Sequence, residues 1–126
     1  MREQFQEELN SVSATLVQMA GLVKTAMENA TTALLTADLA LAERVIAEDS
    51  VVDEIQHELD ARTINLIARQ GPVASDLRTL VTSLRMSADL ERMGDLAHHI
   101  AKSARMRYPA TAVPPELSLT IEEMGR

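Results

Sequence analysis

Between Phe5 and Leu34 the apolar residues Phe5, Leu9, Val12, Leu16, Met19, Val23, Met27, Ala30 and Leu34 recur in steps of three and four. Only an α-helix places such a series on one stripe, because its 3.6-residue turn lies between those two steps. At about 1.5 Å per residue, a helix from Gln4 to Leu35 is about 50 Å long. A rod of that length cannot be buried in a small globule, but it suits a bundle of similar rods. The rest of the chain has to supply partners of matching length. Hydrophobic residues make up 46% of the 126 and aromatics only 2%, so the core is built from aliphatic side chains and the seven Met. Sheets favour aromatic and β-branched residues, whereas a core of this kind favours helices.

A break at Thr36 and Ala37 precedes Asp38, which reads as the N-cap of a second helix. Leu41, Val45, Val52, Ile55, Leu59 and Leu66 form its apolar stripe, interrupted by Glu48 and Arg62. The helix runs to Gln70, where Gly71 and Pro72 stop it. A third helix is expected from Val73 or Ala74 to Tyr108, ahead of Pro109, with Lys102, Arg105 and Arg107 in its last turns. Its apolar residues fall on two sides: Met86, Leu90, Met93, Ala97 and Ile100 on one, Val73, Leu77, Leu80 and Leu84 on the other. One core cannot use both faces along their full length, so either part of this helix packs on something outside the bundle or the two faces exchange roles along its length. Short connections force consecutive helices antiparallel, and the fold expected is an all-α, up-down-up three-helix bundle over residues 1–108. Residues 109–126 read as a Pro-rich connector followed by the opening of a fourth helix, with Leu117, Leu119, Ile121 and Met124. A helix that short is marginal in isolation, which predicts that the protein continues.

Several function classes are disfavoured. The absence of Cys removes disulfides and thiolate metal sites and fits a reducing compartment. The polar start MREQFQEELN is no signal peptide, and no apolar run approaches the roughly 20 residues that span a bilayer. A cytoplasmic location is expected, with any membrane association through partners. A formal charge of −7 repels nucleic-acid phosphates. With no Cys nucleophile, no Gly-rich phosphate loop and no turn-borne Ser or Thr beside a His base, the chain reads as a binding protein and not an enzyme.

Carboxylates one helical turn apart are neighbours, with Cβ atoms about 6 Å apart, and they repel unless something offsets the charge. Asp49 and Asp53 on the second helix and Glu91 and Asp95 on the third form two such pairs, and Asp60 lies near the first line. On antiparallel neighbours the two rows can meet across a groove, where hard oxygen ligands suit divalent or ferric ions. His98 and His99, one turn from Asp95, are candidate nitrogen ligands. A metal-free scaffold whose acids merely solvate it is the alternative. Glu54 and His57 match the short Glu-x-x-His pattern of di-iron bundles, but Glu54 points away from its helix's apolar stripe.

The stretch ADLERMGDLAHHIAK, with Glu91, Arg92, Gly94 and Asp95, resembles the signature of the PhoU family of phosphate-signalling regulators. AERVIAEDSVVDEI, with Asp49 and Asp53, resembles the family's second-helix motif, and GPVASDLRTL its third-helix entry. The likeness covers residues 4–108. It implies a protein of two tandem three-helix repeats, of which this chain holds one and the start of another. It also implies multinuclear metal clusters, often iron, held by Asp49, Asp53, Glu91 and Asp95. Arg92 either orders those carboxylates or faces a partner. By the same resemblance, the protein is a cytoplasmic adaptor between a phosphate ABC transporter and a sensor histidine kinase, repressing phosphate uptake and the phosphate-starvation response. The spare face of the third helix would meet the missing repeat or drive homo-oligomerisation.

Overall fold

The computed structural model describes residues 2–108. They form three helices, α1 (Arg2–Thr36), α2 (Leu39–Gln70) and α3 (Ala74–Arg107), and no strands. The connector and fourth helix expected over residues 109–126 lie outside the described residues.

Both turns follow from local chemistry. Asp38 caps α2 through its side chain, which accepts from the Leu41 amide at 3.0 Å, satisfying one of the amides a helix start leaves free. The Asp38 amide in turn donates to the Ala33 carbonyl at 3.1 Å, closing the end of α1. Ala37 between them has φ 55°, left-handed backbone that favours glycine and costs an alanine roughly 1 kcal/mol. At the other turn Gly71 takes φ 51° without that penalty and donates to the Ile67 carbonyl at 3.2 Å. Pro72 then prevents α2 from continuing.

With connections this short, α2 runs antiparallel to α1, and α3 to α2. Arg69 near the end of α2 reaches Glu8 near the start of α1 at 2.9 Å, and Arg62 donates to the Thr15 hydroxyl at 2.8 Å. On the other flank of α2, Asp49 stands beside His98 of α3. At mid-height Val23 of α1 and Val52 of α2 both face Gly94 of α3, 3.8 and 3.7 Å from where a Cβ would sit. An alanine fits there at ordinary contact, while anything larger has to push the helices apart.

The α1 stripe is buried as its spacing requires: Val12, Leu16, Met19, Val23, Ala30 and Leu34 line the core. In α2, Val45, Val52, Leu59 and Leu66 do the same, joined by Gln56 and Thr63. Those polar side chains are buried with partners, Gln56 donating to Asp60 Oδ2 at 2.6 Å and the Thr63 hydroxyl to the Leu59 carbonyl at 2.7 Å. The third helix differs from expectation. Neither large-residue face is buried along its length; the core line takes Leu80 from one and Ala97 from the other and is otherwise Ser83, Ser87, Gly94, Ala101 and Ala104, with Leu90 and Ile100 packed against it. Small side chains let α3 lie close to both neighbours, and the rotation that buries them leaves Leu77, Met86, Met93 and Leu96 exposed at the flanks.

Candidate metal centre

The rotation that buries Gly94 and Ala97 turns the next positions of α3, Asp95 and His98, toward the flank of α2 that carries Asp49 and Asp53. Asp49 and Asp53 are one turn apart on α2, beside Val52 on the edge of its buried stripe. Across the α2–α3 seam, one carboxylate oxygen each of Asp49, Asp53 and Asp95 lies within 4.8 Å of the others. Asp49 and Asp53 are half-buried and Asp95 is exposed, so the cluster sits at the lip of the core, open to solvent on one side.

Of the four acids singled out in the sequence, the structure brings these three together. Glu91 is half-buried one turn earlier on α3 and is not a member of the group. Antiparallel register explains why: Asp49 lies level with His98 and Val52 with Gly94, so Glu91 falls about 6 Å further along the seam, past Asp53. Asp60 continues the row but is held by Gln56. Glu54 and His57 are both exposed, so the inward-facing ligands that a di-iron bundle needs are not supplied by that pair. Arg92 does not reach the cluster; its ion pair is with Asp89 at 3.4 Å, both side chains mostly exposed at 77% and 68%. Such a pair contributes little.

His98 extends the site in a way that its sequence position only hinted at. Its Nδ1 lies 3.2 Å from Asp49 Oδ2, with both side chains 19% exposed. The approach is off the line of a good hydrogen bond, and the buried Nδ1 has no hydrogen-bond partner among the described residues. Burial pushes the Asp49 carboxyl above its usual range, the Asp53 carboxylate pushes it further and Asp95 adds to both, against the lowering influence of His98. Three acids crowded at a partly dry seam cost stability when all are charged, and a bound cation reverses that sign.

A folded-state pKa raised above the unfolded value contributes stability at low pH that is lost as pH rises through the folded pKa. Free of metal, Asp49→Asn is therefore expected to be more stable than wild type at neutral pH, by about 0.5 kcal/mol for relief of one like-charge neighbour. The gap should close as pH falls toward the ordinary carboxylate value of 3.8. Chelator-treated thermal melts of the two proteins across that range check this, and wild type being the more stable at pH 7 would contradict it.

The chemistry open to the centre is cation binding through oxygen. Carboxylates at this spacing can each offer an oxygen to one ion or bridge two, and an all-oxygen set suits hard divalent or trivalent ions.

The family described as PhoU domain matches residues 16–104, a span that includes all of α2, most of α1 and α3 and every carboxylate of the centre. The protein named "Phosphate-specific transport system accessory protein PhoU homolog 2" of Mycobacterium tuberculosis is 45% identical over 126 residues, covering 100% of this chain and 59% of its own length. The "Phosphate-specific transport system accessory protein PhoU homolog" of Rhizobium meliloti is 35% identical over 121 residues, covering 96% of this chain and 51% of its own length. The crystal structure of PhoU from Pseudomonas aeruginosa superposes with a TM-score of 0.88 at 31% identity, over 96% of this chain and 57% of that one. The chain thus spans little more than half the length of these relatives. With the domain matched over residues 16–104 and the backbone superposing on a solved example, this chain belongs to the PhoU family.

Proposed function

We propose that this chain is part of a metal-binding regulatory adaptor of phosphate transport. It would repress phosphate uptake and the phosphate-starvation response from the cytoplasm, through contact with a phosphate ABC transporter and a sensor histidine kinase. The observation that carries this reading is the convergence of Asp49, Asp53 and Asp95 across the α2–α3 seam. Support for the phosphate system comes from relatives named as accessory proteins of phosphate-specific transport. Among the described residues no helix is long and apolar enough to cross a membrane, in keeping with attachment through partners.

In this reading Asp49, Asp53 and Asp95 hold iron or another hard divalent or trivalent ion. Glu91, the fourth acid of the family motif in this chain, takes part once a second ion extends the cluster along the seam. The metal supplies positive charge, which removes the mutual repulsion of the acids and locks α2 against α3. Arg92 stands on the outer surface of α3, tied only to an exposed Asp89, and is the residue proposed to face a partner. In this reading residues 1–108 act as the repeat, and residues 109–126 as a Pro-rich connector and the start of a fourth helix.

The test is made in cells that lack the gene, complemented with the whole protein or with its Asp49→Ala, Asp53→Ala variant. Phosphate-starvation reporters should be silent in phosphate-rich medium with wild type and derepressed with the variant, at equal protein levels. Full repression by the variant would leave the acids as solvation for a metal-free scaffold.

A further inference from the structure

The metal reading leaves His98 without a role. From α3 it crosses the seam to α2, where its Nδ1 stands 3.2 Å from Asp49 Oδ2. That nitrogen is buried and has no hydrogen-bond partner among the described residues, and buried polar atoms are seldom left so. His98 is not a member of the group whose ligand atoms lie within 4.8 Å of one another, which consists of Asp49, Asp53 and Asp95. It therefore meets one acid of the centre without joining the three.

A nitrogen beside a metal ligand can serve in two ways, by binding the ion itself or by donating a hydrogen bond to the ligand. Standing outside the group of three favours the second. At 3.2 Å the pair is at the long end of N–H···O distances, and a modest turn of the ring about its Cβ–Cγ bond brings the N–H onto line with the oxygen. Histidines and carboxylates of metal sites are commonly held by such outer partners, which fix how a ligand is presented. A carboxylate with one oxygen tied in this way has one left to offer. That difference bears on the choice of ion: Ca²⁺ takes six to eight oxygens, often both from one carboxylate, whereas smaller ions prefer an octahedron of single oxygens.

We propose that His98 is a positioning residue of the metal centre, whose Nδ1–H holds one oxygen of Asp49 and leaves the other to the ion. The inference rests on the reading of Asp49, Asp53 and Asp95 as metal ligands. Restricted to one oxygen, Asp49 suits a small octahedral ion such as Mn²⁺ and discriminates against Ca²⁺. His99, exposed at the next position with its ring set across that of His98 at 80°, takes no part.

The whole 126-residue chain, stripped with chelator, is titrated with Mn²⁺ and with Ca²⁺ by calorimetry, beside two variants. His98→Phe keeps a ring but no donor. His98→Asn keeps a donor near the place of Nδ1 but no ring. His98→Phe should bind Mn²⁺ at least about tenfold more weakly, as loss of an outer partner does, and should lose part of the preference for Mn²⁺ over Ca²⁺. His98→Asn should retain more of both. Equal Mn²⁺ affinity in His98→Phe and wild type overturns the proposal, and so does a larger loss in His98→Asn than in His98→Phe, which would make ring packing the cause. A second measurement needs wild type alone: two-bond ¹H–¹⁵N spectra with Mg²⁺ as the diamagnetic ion should show Nδ1 of His98 protonated. An unprotonated Nδ1 overturns the proposal, as does the ¹⁴N coupling of a directly bound nitrogen in the electron spin echo of the Mn²⁺ form. Asp53→Ala with Asp95→Ala separates the two readings. If that variant keeps Mn²⁺ binding, the metal centre falls and this role with it. If it loses binding while His98→Phe binds like wild type, only the role of His98 falls.

Discussion

Chelator-stripped protein given Mn²⁺ at about a hundred times its dissociation constant should gain about 2.7 kcal/mol of stability, a rise of roughly 10 °C in Tm for a helical domain of this size. The expectation follows from the site's arrangement. Two of the three acids are on α2 and the third is on α3, so an ion that joins them exists only when the two helices are packed, and its binding free energy becomes folding free energy. Asp53→Ala with Asp95→Ala should lose the rise entirely. The stripped variant should nonetheless melt no lower than stripped wild type, because removing two crowded charges relieves repulsion. That pairing of results separates loss of a ligand from damage to the fold. Differential scanning calorimetry with and without EDTA reads both, and an equal Mn²⁺-induced rise in variant and wild type would refute the assignment.

Leu59→Ala should cost about 3 kcal/mol, near the middle of the range for deleting a buried leucine. Leu59 is 1% exposed and packs with Val12 and Leu16 of α1 and with Leu90 of α3, so the cavity would open where all three helices meet. The cost is set by how far they can close over it, and three helices about 50 Å long, pinned along their whole length, collapse poorly into a point defect. Val17→Ala removes apolar side-chain atoms from the surface of α1 and should change stability by less than about 0.5 kcal/mol, because Val17 is 73% exposed. Urea titrations of the two variants give the contrast. Equal losses would mean that Val17 is packed as tightly as Leu59, against its exposure.

The first helix was readable along most of its stripe, where Val12, Leu16, Met19, Val23, Ala30 and Leu34 are buried at helical spacing, while Thr31 and Ala33, buried beside them, lie off that stripe. In α2 the same reading found Val45, Val52, Leu59 and Leu66 but passed over Gln56 and Thr63, which occupy core positions while carrying polar groups satisfied within their own helix. Apolar periodicity cannot register a buried residue whose hydrogen bonds are local. The third helix was legible as a helix but not in its orientation. Close packing selected Ser83, Ser87, Gly94, Ala97, Ala101 and Ala104 for the interior, and small residues carry little weight in a hydrophobic pattern beside Met86 or Met93.

The candidate site shows the same division. That Asp49 and Asp53 stand together, and that Asp95 faces the neighbouring helix, follows from turn geometry and antiparallel packing. Which acid of α3 comes level with them depends on the sliding register of two helices, and no single helix contains that information. The register is set by Val52 and Val23 against Gly94 and by the length of the turn at Gly71, and it selects Asp95 over Glu91 for the group of three.

Crystals of the whole chain soaked in Mn²⁺ and measured at the manganese absorption edge test the central claim most directly. The account predicts an anomalous peak about 2.0–2.6 Å from carboxylate oxygens of Asp49, Asp53 and Asp95, lost in the Asp53→Ala, Asp95→Ala protein. Manganese seated elsewhere on the molecule, with those three acids bare at saturating concentration, would contradict it.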